Sequence, residues 1–254
     1  DASPGTGAVR AGQPQSRMSV EVSERSFEAA IECGLLVFGL DACAGDANVA
    51  KQESPHYGET VPGGYRRRSS EEYNRALCLL LRDVVDFVLA TQPKEWKKLE
   101  QHHGPAVKEQ FLRRLASEIE RRGALDVLRQ GIKDSGCKFR LAYFRPASGL
   151  NEETRRLHSA NLFSVVRQLH YSEKNEKLSV DLGLFLNGIP IFTAELKNPL
   201  TGQDVEDAIR QYKTDRDPRE PLLAYGRCLA HFAVDPDLVY VTTQLAGPKT
   251  RFLP

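Results

Sequence analysis

The sequence has no run of about 18 apolar residues, so nothing in it reads as a membrane-spanning helix, and no export-signal pattern is present. It also lacks an excess of either charge: 35 Lys and Arg stand against 34 Asp and Glu, a formal net charge of +1. Proteins that coat nucleic acid indiscriminately carry a clear basic surplus. Any DNA contact must therefore come from a local patch or from other parts of a larger assembly. The cysteines, Cys33, Cys43, Cys78, Cys137 and Cys228, are scattered, with no CxxC and no His at zinc-ligand spacing. A disulfide framework and a zinc site are not expected, and a reducing cytoplasm fits. No GxxxxGK[ST] phosphate loop occurs, so the chain is not expected to bind ATP productively by itself. Methionine occurs once, as Met18, behind the Gly/Ala/Pro/Ser-rich stretch Asp1 to Arg17. Residues 1–18 read as a flexible tag or linker, and 19–254 as one domain.

What is present is ample for a buried core: 254 residues, 41% hydrophobic and 27% charged. Phe27, Ala30, Ile31 and Leu35 at helical spacing predict a helix from Glu24 to about Phe38. Gly39 to Gly64 is polar and turn-rich and reads as a long surface loop. Ser69 to Thr91 and Pro105 to Arg122 carry strong helical stripes, Gly123 stops the second, and a short helix follows at Ala124 to Arg129. From Lys138 the texture changes to strands: Phe139 to Phe144, Asn161 to His170, Leu178 to Leu186, Ile189 to Leu196, Leu229 to Val234 and Leu238 to Thr243. One helix interrupts them, Gly202 to Asp215, with Thr201 as its expected N-cap and Val205, Ala208, Ile209 and Tyr212 as its core stripe. The expected architecture is α/β, with residues 19–137 mainly helical and 138–254 a sheet-rich catalytic core.

The stretch that carries chemistry runs from Ser179 to Lys197: two apolar strands about an Asn187-Gly188 turn, with Asp181, Glu195 and Lys197 set inside them. Burying a charge costs several kcal/mol unless it is paired or binds a metal. Glu195 and Lys197 are two apart and share a face. A two-residue turn would set Asp181 opposite Ala194, on the wrong face. A three-residue loop with a bulged Gly188 would set it opposite Thr193, on the right one. The site requires that second register or an equivalent bulge. Two carboxylates and an ammonium on one face suit phosphodiester hydrolysis: Asp181 and Glu195 as hard ligands for Mg²⁺, Lys197 to orient or deprotonate the attacking water. The plain alternative is a buried Glu–Lys ion pair beside a strand-edge Asp.

The Asp181…Glu195-Leu196-Lys197 pattern resembles the PD-(D/E)xK nuclease motif. Its surroundings resemble the N-terminal domain of the R (restriction and translocation) subunit of type I restriction enzymes. The matching stretches are Asn161 to Ser172, Val180 to Pro190, Ala194 to Pro199, Ala208 to Tyr212 and Phe232 to Asp235, with weaker likeness from Phe87 onward. The resemblance implies a restriction-endonuclease-like mixed central sheet flanked by helices, with an added N-terminal helical layer. It implies Mg²⁺-dependent cleavage of double-stranded DNA in a bacterial or archaeal cytoplasm. The implied setting is an ATP-dependent complex with methylation and specificity subunits and a C-terminal helicase-like motor outside this chain. Two rivals remain: a DNA-binding or docking module of the same fold that does not cleave in isolation, and a different PD-(D/E)xK repair nuclease.

Nucleases of this branch often place a Gln, and a Tyr four residues later, on the helix after the ExK strand. Here Gln211 fits the first position, the second is Asp215, and Tyr212 falls on the core stripe. Gln211 is a supporting residue in this reading, and Arg167, beside Gln168 in an apolar strand, a contact for DNA phosphate or an ion-pair partner of Asp181 or Glu195. Glu28, then Glu24, are candidates for a further metal-facing carboxylate from the first helix, against a solvated helix face. Arg66-Arg67-Arg68 and Lys97-Lys98 read as solvated runs, and His102-His103 as part of a polar connection.

Overall fold

The structure is a computed structural model that describes residues 24–42, 64–147 and 150–254, without the side chains of 37–42. The proposed linker at 1–18 and most of the proposed loop at 39–64 lie outside the described residues. The first described helix, α1, is Glu24–Ala42; the short strand β1 is Arg66–Arg68, and a small hairpin pairs β2 (Tyr73–Asn74) with β3 (Leu79–Leu80). Four helices follow, α2 (Leu81–Thr91), α3 (Pro93–His103), α4 (Val107–Arg122) and α5 (Ala124–Gln130), then a second hairpin, β4 (Ile132–Asp134) and β5 (Cys137–Phe139). Helix α6 (Glu152–Ser159) leads into β6 (Phe163–His170), β7 (Ser179–Leu186) and β8 (Ile189–Leu196). The crossover helix α7 (Val205–Thr214) returns the chain to β9 (Ala230–Val234) and β10 (Val239–Thr242).

Six strands form the central mixed sheet in the order β1-β6-β7-β8-β9-β10. The β1–β6 and β8–β9 pairs are parallel, and the others are antiparallel. Parallel neighbours need a crossover, which α7 supplies between β8 and β9. Helices α2 to α5 and both small hairpins build one large core with Ile189 and Ile191 of β8. Helix α1 packs Phe27, Ile31, Leu35 and Leu36 against Val165, Leu182 and Leu196. Helix α7 buries Val205, Ala208 and Ile209 against Ala233. The sheet therefore lies between helical layers, as expected, but β1 joins it from within the segment read as mainly helical.

Several predicted spans are corrected. The helix expected over Ser69–Thr91 begins only at Leu81. Before it, Ser69 and Glu72 cap a single 3-10 turn, Asn74 Oδ1 accepts the Leu77 amide at 2.8 Å, and Cys78 adopts a positive φ of 54°. These local bonds turn the chain back so that Leu80 N can donate to Gly188 O at 2.9 Å, and that contact outweighs the helical stripe. His102 and His103 end helix α3 rather than lying in a loop. Of the strand expected over Phe139–Phe144 only Phe139 is in a strand, as the last residue of β5. Helix α7 starts three residues past the expected position because Asp204, not Thr201, is its N-cap, in a reciprocal capping box with Asp207.

Arg68, Asp83 and Ser164 lock α2 onto the sheet. Asp83 Oδ1 accepts from Arg68 Nε at 3.0 Å and Nη2 at 2.7 Å, and Oδ2 accepts from Ser164 Oγ at 2.5 Å. Arg68 is thereby an ion-pair residue, not a solvated one, and Arg67 likewise donates to Glu32 at 2.9 Å.

Candidate active site

The β7–β8 hairpin sets the register on which the site depends. Asn187 and Gly188 have φ of 51° and 78°, the positive pair of a type I′ two-residue turn, and Leu186 pairs with Ile189. The three-residue loop considered from sequence does not form. The buried Asn187 side chain explains the choice: Oδ1 accepts from Leu162 N at 2.6 Å, and Nδ2 donates to Leu141 O at 2.8 Å. Gly188 is required twice over, by its φ and because a Cβ there would lie 2.5 Å from Leu80 O.

The needed shift comes farther along. Phe185 pairs with Pro190 but Leu184 pairs with Phe192, so Ile191 is an extra residue on β8. Beyond the bulge Leu182 pairs with Ala194, and the same register carries Asp181 across from Glu195 rather than Thr193. Asp181, Glu195 and Lys197 thus share a face, through a different irregularity from the one anticipated. The hydrogen bond from Leu196 N to Asp181 Oδ2, 2.7 Å, fixes the first carboxylate to the second strand.

All three side chains are buried. Glu195 is fully enclosed; Oε1 accepts from Arg216 Nε at 2.6 Å, while Oε2 has no hydrogen-bond partner among the described residues. Burial, then the Asp181 carboxylate, push the Glu195 carboxyl up to about 8, against the pull of Arg216 and Lys197. Lys197 Nζ donates to Glu24 Oε1 at 2.6 Å. Asp181 Oδ1 accepts from Gln168 Nε2 at 3.1 Å, and the same amide nitrogen donates to Glu28 Oε1 at 2.8 Å. Gln168 holds this bridge with a φ of 46° in the middle of β6, a strained backbone for a non-glycine residue.

Glu28 is buried, not on a solvated face. Desolvation and the nearby Asp181 raise its carboxyl above the usual range, and Arg167 and Gln168 act against this. Arg167 pairs with Glu28 at 3.3 Å and Glu32 at 3.5 Å, rather than with Asp181 or Glu195. It lines, with Arg67, Ser69, Ser70 and Gln168, a cleft of about 370 Å³ beside the site. A larger cavity, about 690 Å³ between α4, α5 and the turn at Tyr225–Gly226, contains none of these residues. Gln211 makes no hydrogen bond to Asp181, Glu195 or Lys197 among the described residues. Tyr212 is buried and shares the Thr193 hydroxyl, at 2.8 Å, with His231 Nδ1, at 2.7 Å. His103, Asp134 and Ser135 also meet, but the carboxylate and the hydroxyl both approach the same ring nitrogen, Nε2, at 3.1 Å. That leaves no free nitrogen between them to relay a proton, unlike a hydrolytic triad.

Sequence reasoning missed Arg216, which lies in a polar run after α7 with nothing to set it apart. It also missed the Glu24–Lys197 pair, which joins residues far apart in the chain.

Over residues 87–250 the sequence matches the family described as type I restriction enzyme R protein N terminus. The chain belongs to that family. The match takes in Asp181, Glu195, Lys197 and Arg216 and leaves α1 and β1 outside it. No curated protein and no solved structure matches the chain. Restriction enzyme R proteins act on DNA, so the buried carboxylates on β7 and β8 are the first place in this family member to look for nuclease chemistry.

Buried His231 gives the sheet an acid sensitivity. Burial alone lowers its imidazole from 6.5 to about 4. Above pH 6.5 both folded and unfolded chains hold it neutral; as pH falls from 6.5 towards 4, only the unfolded chain takes up the proton, so stability is lost in that window. The expected loss is about 2 kcal/mol at about pH 5. Urea midpoints for wild type and His231→Gln at about pH 7.5 and about pH 5 test this. The wild type is expected to lose more than the variant on acidification, and equal losses would exclude His231 as the cause.

Proposed function

We propose that this domain is a Mg²⁺-dependent endonuclease that cleaves double-stranded DNA, with Asp181 and Glu195 holding the metal and Lys197 beside them. The observation that carries the reading is the pair of buried carboxylates set across from each other on β7 and β8, one oxygen of which, Glu195 Oε2, is enclosed without a partner among the described residues. Two enclosed carboxyl groups side by side, one with an oxygen left over after its arginine, form a donor set that a divalent cation would stabilise. Among the described residues no group of three or more His, Cys, Asp or Glu side chains stands in metal-holding geometry. A two-carboxylate donor set suits Mg²⁺, which keeps several waters and takes further oxygens from a substrate phosphate. Bound there, Mg²⁺ supplies a Lewis acid for the phosphate and lowers the pKa of a water.

The chain's own residues do the rest. Asp181 is oriented by Leu196 N and Gln168, and Glu195 by Arg216. Lys197, released from Glu24, orients the attacking water or takes its proton and offsets charge on the phosphate. Glu28 stands behind Asp181 through Gln168 and is a further carboxylate on the metal side of the site. Arg167 and Arg67, which line the adjoining cleft in ion pairs with Glu28 and Glu32, would contact backbone phosphates, with Gln211 of α7 in support. The near-neutral net charge suits a domain that receives its DNA from the specificity and methylation subunits and from a helicase-like motor that consumes ATP.

The test is plasmid nicking and linearisation by the full-length subunit in its reconstituted complex with Mg²⁺ and ATP. Asp181→Asn and Glu195→Gln are each expected to abolish cutting while DNA binding and ATP consumption persist. Cutting at the wild-type rate by either variant would overturn the assignment.

A further inference from the structure

We infer that Arg216 is the positioning residue of this site: it fixes the Glu195 carboxylate so that Oε2 alone is presented to a divalent cation. The inference rests on the metal-site reading above. Glu195 is fully enclosed and Arg216 nearly so. Their contact, Nε to Oε1 at 2.6 Å, is short for a charge-assisted hydrogen bond. A carboxylate has two oxygens able to ligate, and a long glutamate side chain can rotate between them. Here one oxygen is tied to a guanidinium and the other is enclosed without a partner among the described residues. The arrangement leaves one ligand position and one orientation.

The fold fixes the arginine as firmly as the glutamate. Helix α7 is anchored at its start by the Asp204–Asp207 capping box and by Asp235 Oδ2, which accepts the Val205 amide at 3.1 Å. Its buried stripe, Val205, Ala208, Ile209 and Tyr212, holds it against the sheet. At its end the Asp215 amide donates to Gln211 O, and Arg216 follows immediately. The chain thus delivers a cation to the end of β8 from the opposite layer to α1, whose Glu24 holds Lys197. Glu195 is oriented from the chain just past the end of α7 and Lys197 from the start of α1, neither of which belongs to their hairpin. Hydrogen-bond partners of metal-ligating carboxylates commonly set metal affinity, and losing one costs about 10–100-fold.

The experiment is titration of the 254-residue chain with Mn²⁺, reading free Mn²⁺ by electron paramagnetic resonance, for wild type, Arg216→Ala, Arg216→Lys and Glu195→Gln. Thermal melts of the same samples report folding. Arg216→Ala is expected to weaken Mn²⁺ binding about 10–100-fold, Arg216→Lys to restore part of the loss, and Glu195→Gln to abolish binding at the site. If Arg216→Ala does not fold, Arg216→Lys decides, since a lysine supplies charge without the fixed planar donor. A folded Arg216→Lys with full wild-type affinity then overturns the proposal. If Glu195→Gln abolishes binding but Arg216→Ala binds as wild type, the role of Arg216 is wrong and the metal site stands. If Glu195→Gln binds as wild type, the metal-site reading fails and takes this inference with it.

Discussion

Replacing Lys197 with Ala is expected to lower DNA cleavage by the reconstituted complex at least about 100-fold without unfolding the domain. The two parts of this outcome have separate physical causes. Lys197 is buried beside Glu195, where a fixed ammonium acts in a dry site and is worth far more than in water. Its loss removes the ammonium that directly follows β8 and with it the proposed orientation of the attacking water. Its partner, by contrast, is not trapped. The Glu24 side chain is about a third exposed, so once the ammonium is gone the carboxylate returns to solvent. The cost to stability is therefore small beside the cost to cleavage. Plasmid linearisation, ATP consumption and thermal melting on the same preparations check this. A variant that cuts normally shows that Lys197 only balances Glu24; a variant that melts far below the wild type shows that the ion pair is structural.

Asp83→Ala has the opposite signature: a loss of about 3 kcal/mol or more of folding stability with no direct effect on the chemistry. Asp83 is completely buried and receives three hydrogen bonds, two from Arg68 of β1 and one from Ser164 of β6. Removing the carboxylate takes a full charge from a nearly enclosed guanidinium and leaves the buried Ser164 hydroxyl without its acceptor. Arg68 keeps a longer contact to Glu72, 3.9 Å, and borders the cleft, but the Ser164 hydroxyl is wholly buried, in contrast to the partly exposed Glu24 case. Such a loss is a large fraction of the about 5–15 kcal/mol that a domain has in total. Urea unfolding of the isolated chain reads it directly, and Asp83→Asn should fall between, since an amide oxygen can still accept. An unchanged midpoint for Asp83→Ala would mean that the three-way contact contributes nothing net.

The contrast between these two ion pairs shows where sequence reading stops. The strands β6, β7, β8, β9 and β10, the crossover helix and the hairpin turn were legible because each is a local pattern: β-branched and aromatic runs, a four-residue core stripe, an Asn-Gly pair. The family likeness was legible because it lies in those same strands. Asp181, Glu195 and Lys197 stood out because charge inside an apolar strand needs a partner. The segment before α2 was misread, since a helical stripe cannot announce that Asn74, Cys78 and the distant Gly188 will turn the chain into a hairpin.

What the sequence determined by itself was the kind of sheet, the helix that crosses it and the three residues that make it chemically suspect. Tertiary structure alone decided that these residues share a face, because the Ile191 bulge shifts the register by one after a turn that would otherwise have set Asp181 on the wrong side. It alone supplied their partners: Arg216 for Glu195, Glu24 for Lys197, and Gln168 between Asp181 and Glu28. The reason is physical. Strand and helix patterns repeat over two to four residues and are written in the chain. A buried charge, however, selects its partner by proximity in space, and proximity is set by how the layers pack.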